Sequence, residues 1–248
     1  MAVILMKIFE ESPRKFDRWM RLLTLGRLDQ IRAEILESAQ AGTNFLEIGC
    51  GTGALAIMLA SRGARVTGID ISENMVATAQ EKFRAAGIEG QVEARRLHGL
   101  QVEEAFADRN FSHILSVLAL SEMTDDEIDC LLGQCRKVLM PQGKLILVDE
   151  VVPEGILTRA VYSAYRFLAR LVTFLALQAA EIKKANILTK ILYFLIELPL
   201  ILLTFVVVPA ATHPLLHLEK RVSTSGFRVT RSKSYLSGTL KLLFAERA

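Results

Sequence analysis

The sequence predicts an α/β fold centred on a parallel sheet. Two observations carry that expectation. From Phe45 onward, apolar runs of strand length alternate with stretches of helical periodicity, the order produced by strands joined through crossover helices. A glycine-rich turn also stands between the first run and the first helix, where open parallel sheets bind their ligands. One feature lies outside the pattern, an apolar stretch from about Ile156 to His217.

Each element follows from local chemistry. Residues 13–39 carry Phe16, Trp19, Leu22, Leu23 and Leu25 at helical spacing with basic residues between them, and Gly26 offers a break, so one or two amphipathic helices are expected. Residues 45–48 form a short apolar strand and 54–61 a helix. Residues 66–70 are a second strand. Ser72 then caps a helix that runs to about Ala86 and closes at Gly87. Residues 92–97 and 114–118 read as strands three and four. A helix over 125–139 has acidic residues in its first turn and Arg136 and Lys137 in its last, which suits the helix dipole. Pro141-Gln142-Gly143 ends it, and 144–148 is strand five. Residues 227–232 and 240–245 read as an antiparallel hairpin joined through Ser237 and Gly238.

Composition narrows the function. A chain of 248 residues buries a core without disulfides or structural metals. The three cysteines, Cys50, Cys130 and Cys135, fit reduced thiols better than a disulfide framework. A net charge of +3 gives no field that would favour nucleic acid. Hydrophobic residues reach 51% with a mean hydropathy of +0.32, high for a soluble enzyme. Residues 1–7 hold an apolar run shorter than a signal peptide and no small-residue cleavage site. A cytoplasmic protein attached to the inner face of the membrane is therefore expected.

The chemistry-bearing pattern is Glu47-x-Gly49-x-Gly51-x-Gly53, placed after a strand and before a helix. Glycines there let the backbone turn tightly and approach a ligand. About twenty residues on, Asp70 ends the second strand, where a carboxylate accepts the hydrogen bonds of a ribose diol. The dinucleotide fingerprint has its glycines in a Gly-x-Gly-x-x-Gly order. Here they alternate, and Glu47 precedes them. That carboxylate would repel a pyrophosphate and attract a sulfonium or ammonium, which favours S-adenosylmethionine over a nicotinamide or flavin.

Three segments resemble the class I S-adenosylmethionine methyltransferases: Phe45-Leu-Glu-Ile-Gly-Cys-Gly-Thr-Gly53, Gly68-Ile-Asp-Ile-Ser72 and Val138-Leu-Met-Pro-Gln-Gly-Lys-Leu145. The resemblance implies a Rossmann-like seven-stranded sheet whose closing hairpin supplies an antiparallel strand. By position it implies that Glu47, Gly49 and Gly51 line the methionine end, that Asp70 holds the ribose, and that Ile71 and Met75 flank the adenine; Cys50 and Gly53 of the same turn join the candidate cofactor-binding residues. Two departures stand out. Leu97-His98-Gly99-Leu100 replaces the acidic residue many members carry after strand three, so His98 is the candidate there, and strand four opens Phe111-Ser112-His113 rather than Phe-Asp. Leu118, at the end of strand four, completes the candidate cofactor-binding set.

Within the class, the chain is most similar to quinone-precursor methyltransferases. Leu118-Ala-Leu-Ser-Glu-Met-Thr-Asp125, Val148-Asp-Glu-Val151 and Thr212-His-Pro214 also resemble corrinoid-protein-associated methyltransferases, which implies a corrinoid protein as a neighbour. No catalytic residue is named by the sequence. Glu122, Asp149 and Glu150 fall near strand ends, where they are candidate general bases or, equally, residues that cap helices or orient loops, and in-line positioning alone serves methyl transfer. His213-x-x-x-His217 lacks a third ligand, so no metal site is expected.

The apolar stretch bears on location. Residues 191–208 are apolar except for Glu197, Pro199 and Thr204, the length of a membrane-span candidate. Before it, Arg159, Arg166 and Arg170 fall on one side of an apolar helix, as in interfacial helices. The stretch joins two strands of one sheet, so any crossings must be even in number. A helical hairpin in one leaflet or in the interface is favoured, with a two-span hairpin and a buried cap as the alternatives. The expected organisation is a helical cap over 1–41, a methyltransferase core over 42–151 and 220–248, and a membrane-associating insertion over 152–219. The expected function is methyl transfer to a small or lipophilic acceptor at a membrane surface. The alternative is a cofactor-binding, non-catalytic partner of a corrinoid protein, or a membrane adaptor.

Overall fold

In the computed structural model, residues 26–108, 111–152 and 215–248 are described, with Asp17, Met20, Arg21, Thr24 and Ala164 besides. The chain divides into two compact units, one of 2–152 with 213–248 and one containing 153–212. The fold below is that of the first unit. The apolar insertion and most of residues 1–25, on which the membrane and first-helix expectations rest, lie outside the described residues.

Seven strands form one sheet: β1 Asn44–Ile48, β2 Arg65–Asp70, β3 Val92–Arg96, β4 Phe111–Val117, β5 Leu139–Glu150, β6 Phe227–Tyr235 and β7 Leu240–Arg247. Their order is β3-β2-β1-β4-β5-β7-β6. The first five pair in parallel, and β7 runs antiparallel to both neighbours. The expected Rossmann-like sheet with its closing hairpin is therefore present. The helices are α1 Arg27–Leu36, α2 Ala54–Ala60, α3 Glu73–Ala86, α4 Val102–Ala105, α5 Asp125–Val138 and α6 Leu218–Thr224.

Alternation along the strands splits the core between two faces. Phe45, Val66, Leu115, Ile146 and Val148 pack with Ile31 and Ile35 of α1, Leu55 and Leu59 of α2, and Phe83 of α3. Their sequence neighbours Leu46, Ile114, Leu145 and Leu147 pack with Ile128, Leu131 and Leu132 of α5 and with Leu218 and Val222 of α6. Each such fully buried side chain is worth about 1.5–3 kcal/mol. Glu34 binds α1 to the far edge of the sheet, accepting from Lys233 at 2.6 Å and from Arg231 and Tyr235.

Helix ends follow the sequence signals. Ser72 accepts from the Met75 N–H, and Gly87 closes α3 in the left-handed conformation. Thr124 and Glu127 cap α5 reciprocally, an arrangement that satisfies two orphan donors. Gly26 precedes α1 at φ 73, as the break expected there.

Three expectations need correction. Strand five starts at Leu139 directly after α5, not at Lys144: Leu139 pairs with Phe111 before residues 140–143 loop out and pairing resumes at Lys144 with His113. Pro141 and Gly143 read as a helix stop, and the strand residue ahead of them was hidden. Strand four ends at Val117, because Leu118 takes φ 59. His217 also sits at φ 54 ahead of α6 rather than within a helix, so its spacing from His213 does not define a helix face.

Candidate active site

The order β2-β1-β4 makes the C-terminal edge between β1 and β4 the point where the winding reverses, and ligands of open α/β sheets bind there. A cavity of about 260 Å³ occupies it. Of the ten sequence candidates, Glu47, Gly49, Cys50, Gly51, Asp70, Ile71, Met75, His98 and Leu118 line the cavity. Gly53 does not. It precedes α2 at φ 73, and a Cβ on it would lie 2.5 Å from the Phe83 ring, so its role is helix packing.

The glycine turn is built against both neighbouring strands. The N–H groups of Gly49 and Cys50 both donate to the Ile69 carbonyl, at 2.9 and 3.0 Å. Gly49 has φ 73, and a Cβ there would fall 2.4 Å from the Ala119 Cβ. Cys50 is buried and sits over Gly68, where a Cβ would meet its Cβ at 2.8 Å. Glycine at 68 is thus required by the packing of Cys50.

Asp70 closes this turn. Its Oδ2 accepts from the Gly51 N–H at 2.8 Å and its Oδ1 from the Ser72 N–H at 2.9 Å. Burial raises its pKa above the ordinary value, while the N–H groups of Ser72, Gly51 and Ile71 pull it back. Each carboxylate oxygen has two lone pairs, so both can still accept from a diol. Ile71 beside it is 59% exposed although apolar, a side chain presented to the cavity rather than to the core.

Glu47 is 3% exposed at the end of β1. Burial pushes its carboxyl up to about 8; the Arg32 guanidinium lowers it and Asp70 raises it. Glu47 Oε2 and Arg32 Nε are buried without hydrogen-bond partners among the described residues, as is Asp17 Oδ1. All three residues line the cavity. Unpaired buried polar atoms are costly, and acidic and basic groups lining one space suit a zwitterionic ligand.

Sequence reasoning missed Arg32, Asp17 and the contacts that hold Asp17. Lys82 of α3 donates to Asp17 Oδ2 and to Thr52 Oγ1, both at 2.8 Å, and Thr52 donates to Asp17 Oδ2 at 2.9 Å. Thr52 is 1% exposed, so the glycine turn is clasped from its outer side. Arg32 could have been noticed as a cation beside Ile31 on the buried face of α1. Asp17 carried no signal.

The far wall comprises Val117, Leu118, Ala119, Glu122 and Met123, with Met20 and Leu28 from the N-terminal segment. The three candidate bases separate here. Glu122 lines the cavity, whereas Asp149 and Glu150 do not. Asp149 is fully buried and accepts from the N–H groups of Leu120, Ser121 and Glu150. His98 also does more than line the cavity: its Nδ1 accepts from the Leu100 N–H, capping the turn Gly99–Gln101. Ser112, which departs from the family pattern, ties β4 to the Asn44 N–H and carbonyl of β1. Among the described residues, no cluster of histidine, cysteine and carboxylate could hold a metal.

Comparison with known proteins is consistent with this geometry. Residues 45–143 match the methyltransferase domain family. A demethylmenaquinone methyltransferase of Bacillus cytotoxicus is 31% identical over 163 residues, covering 64% of this chain and 67% of that enzyme. The enzyme of the same name from Listeria welshimeri is 29% identical over 164 residues, with the same coverage. The chain belongs to the S-adenosylmethionine-dependent methyltransferases. Among solved structures, magnesium protoporphyrin IX methyltransferase from Synechocystis PCC 6803 with bound S-adenosylhomocysteine has the same fold, with a TM-score of 0.62 at 18% identity over 100% of both chains. A methyltransferase from Aquifex aeolicus superposes with a TM-score of 0.60 at 15% identity, covering 96% and 98%.

The residues of this methyltransferase fit its cofactor. The unpartnered Glu47 and Arg32 atoms match an ammonium and a carboxylate. A Cβ on Gly49 would collide with Ala119 across the turn, and Asp70, which lines the cavity, keeps lone pairs free to accept from a diol.

Proposed function

We propose that this methyltransferase methylates the ring of a reduced, lipophilic quinone-type acceptor at a membrane surface. The observation that carries the reading is the division of the cavity between a polar end at Glu47, Arg32 and Asp70 and an apolar wall of Met20, Leu28, Val117, Leu118 and Met123. The names of the demethylmenaquinone relatives and the apolar sequence over 191–208 support it further.

Bound S-adenosylmethionine supplies a methyl group on a cationic sulfur. The chain's own residues orient it. Asp70 would hold the ribose hydroxyls, Glu47 the ammonium and Arg32 the carboxylate, with Ile71 and Met75 at the adenine end. Ionised Glu47 also lowers the potential felt by the sulfonium side of the cavity. The apolar wall excludes water and holds the acceptor in line with the methyl group, which is the principal requirement of this substitution. A quinone ring carbon is electrophilic, so the nucleophile is the reduced quinol, whose oxygens push density onto the ring carbon. The quinol ring carbon would gain the methyl and release its proton to solvent, the C–S electron pair leaving with the neutral thioether product.

Among the described residues no helix is long and apolar enough to cross a membrane. The proposed attachment to the inner face rests on the sequence of residues 152–219. The corrinoid-protein partner rests on sequence motifs of which Thr212-His-Pro214 lies outside the described residues.

The test is transfer of radiolabelled methyl from S-adenosylmethionine to a short-tailed demethylmenaquinol, with and without anionic vesicles. The proposal expects a labelled quinone product and faster turnover with vesicles. Transfer only to a hydrophilic acceptor, indifferent to lipid, overturns it.

A further inference from the structure

Asp149 is one of the two candidate bases that the geometry removes from the cavity, and its contacts give it another task. Its side chain comes from β5, is 0% exposed, and reaches across to the turn that follows β4. Oδ2 accepts from the Leu120 N–H at 2.8 Å and the Ser121 N–H at 3.2 Å, and Oδ1 accepts from the Glu150 N–H at 2.8 Å. The Ser121 hydroxyl also bonds to it. Leu120 and Ser121 open the single 3-10 turn Leu120–Glu122, whose own N-terminal residue, Ala119, supplies no side-chain cap. Asp149 is therefore that turn's cap, donated from another strand.

The turn needs such a restraint. Leu118 holds φ 59, a conformation that costs a side-chain-bearing residue about 1–2 kcal/mol. Its N–H donates to the Val148 carbonyl at 2.7 Å. The entry to the turn is thus pinned to consecutive residues of β5, Leu118 to Val148 and Leu120 and Ser121 to Asp149. Between the pins Ala119 lies against Gly49, and Glu122 and Met123, which follow the second pin directly, line the cavity with Leu118 and Ala119. A carboxylate buried solely to fill the core would cost several kcal/mol against an apolar residue of like size. Here every bond it makes is to the turn or to its own strand.

We infer that Asp149 is a positioning residue for methyl transfer: it caps the turn Leu120–Glu122 from inside the sheet and so fixes Glu122 at the acceptor side of the cavity. The inference depends on the methyl-transfer reading only for its kinetic arm. Glu122 is exposed at the cavity rim, so its substitution leaves the core intact.

The experiment compares wild type, Asp149→Asn, Glu122→Gln and the double variant. It uses S-adenosylmethionine with the short-tailed demethylmenaquinol for kinetics, S-adenosylhomocysteine for calorimetry, and amide exchange at Leu120 and Ser121. Asp149→Asn keeps the shape but turns one acceptor into a donor. The inference expects about a 30-fold fall in kcat with the S-adenosylhomocysteine Kd held within about threefold. Exchange at Leu120 and Ser121 rises about tenfold or more. Glu122→Gln lowers kcat on its own, and the double variant falls no further than the worse single, as expected of residues acting as a unit. An unchanged kcat in Glu122→Gln overturns the inference, as does loss of ligand affinity in Asp149→Asn parallel to its loss of kcat. Should wild type leave the quinol unmethylated, the acceptor proposal fails. The exchange and calorimetry arms then decide for Asp149: unchanged amide exchange at Leu120 and Ser121 in Asp149→Asn, or an S-adenosylhomocysteine Kd weakened beyond about threefold, overturns the inference.

Discussion

The N–H of Gly51 donates to Oδ2 of Asp70 across 2.8 Å, so the turn after β1 and the carboxylate ending β2 are one hydrogen-bonded unit. Asp70 organises the site before any ligand arrives. Asp70→Ala leaves the N–H groups of Gly51 and Ser72 without this partner and should lower stability by about 1–3 kcal/mol, read as a lower midpoint in urea with an unchanged slope. An unaltered midpoint would show that the carboxylate contributes nothing to the turn.

Glu47 makes both stability and binding depend on pH. Burial holds its carboxyl at about 8, against 4.5 for the unperturbed group. Between those values the folded chain keeps a proton that the unfolded chain has lost. Stability therefore falls as pH rises from 4.5 towards 8, and Glu47→Gln removes that part of the slope. A cationic ligand binds the ionised form, so affinity for S-adenosylmethionine should rise by up to about tenfold per pH unit until about pH 8, then level off. Calorimetry across this range, repeated on Glu47→Gln, tests it. A wild-type Kd that does not vary with pH contradicts it.

Gly49 and Ala119 compete for one space. A Cβ on Gly49 would fall 2.4 Å from that of Ala119, at φ 73. Gly49→Ala should cost about 2–4 kcal/mol, part steric and part from the left-handed backbone. Ala119→Gly in the same chain should recover the steric part, so a thermal-melt double-mutant cycle should give a coupling of about 1 kcal/mol or more. Additive effects would mean that the turn relaxes away from the contact.

Lys82 clasps Asp17 to the glycine turn through two 2.8 Å bonds. Both partners are about one-third exposed, so the ion pair itself is worth about 1 kcal/mol or less. Lys82→Met should leave global stability nearly unchanged while accelerating S-adenosylmethionine dissociation by about three- to tenfold, because Asp17 lines the cavity. Stopped-flow displacement with S-adenosylhomocysteine measures it, and an unchanged off-rate would detach Asp17 from the site.

How much of this was legible follows from the kind of signal each residue leaves. The glycine turn, Asp70 and the caps at Ser72 and Gly87 are local, since each is required by the backbone within a few residues. Nine of the ten candidate residues consequently line the cavity. The tenth, Gly53, obeys the same glycine logic but faces Phe83 rather than ligand space. Arg32 and Asp17 reach the site from outside the motif, through tertiary packing that no periodicity records. Asp149, near a strand end, reads equally as a base or as a cap. Its partners, 28 and 29 residues away in sequence, make it a cap. The start of β5 was hidden by Pro141 and Gly143, which serve an irregularity inside the strand rather than its boundary.

The central claim is that the pocket assembled by Glu47, Arg32, the glycine turn and Asp70 holds S-adenosylmethionine. Calorimetric titration of wild type and Asp70→Asn tests it most directly. One stoichiometric site of micromolar Kd is predicted, weakened about tenfold or more in Asp70→Asn, where a donor replaces one acceptor oxygen. Absence of binding to wild type, or equal affinity in the two proteins, would contradict it.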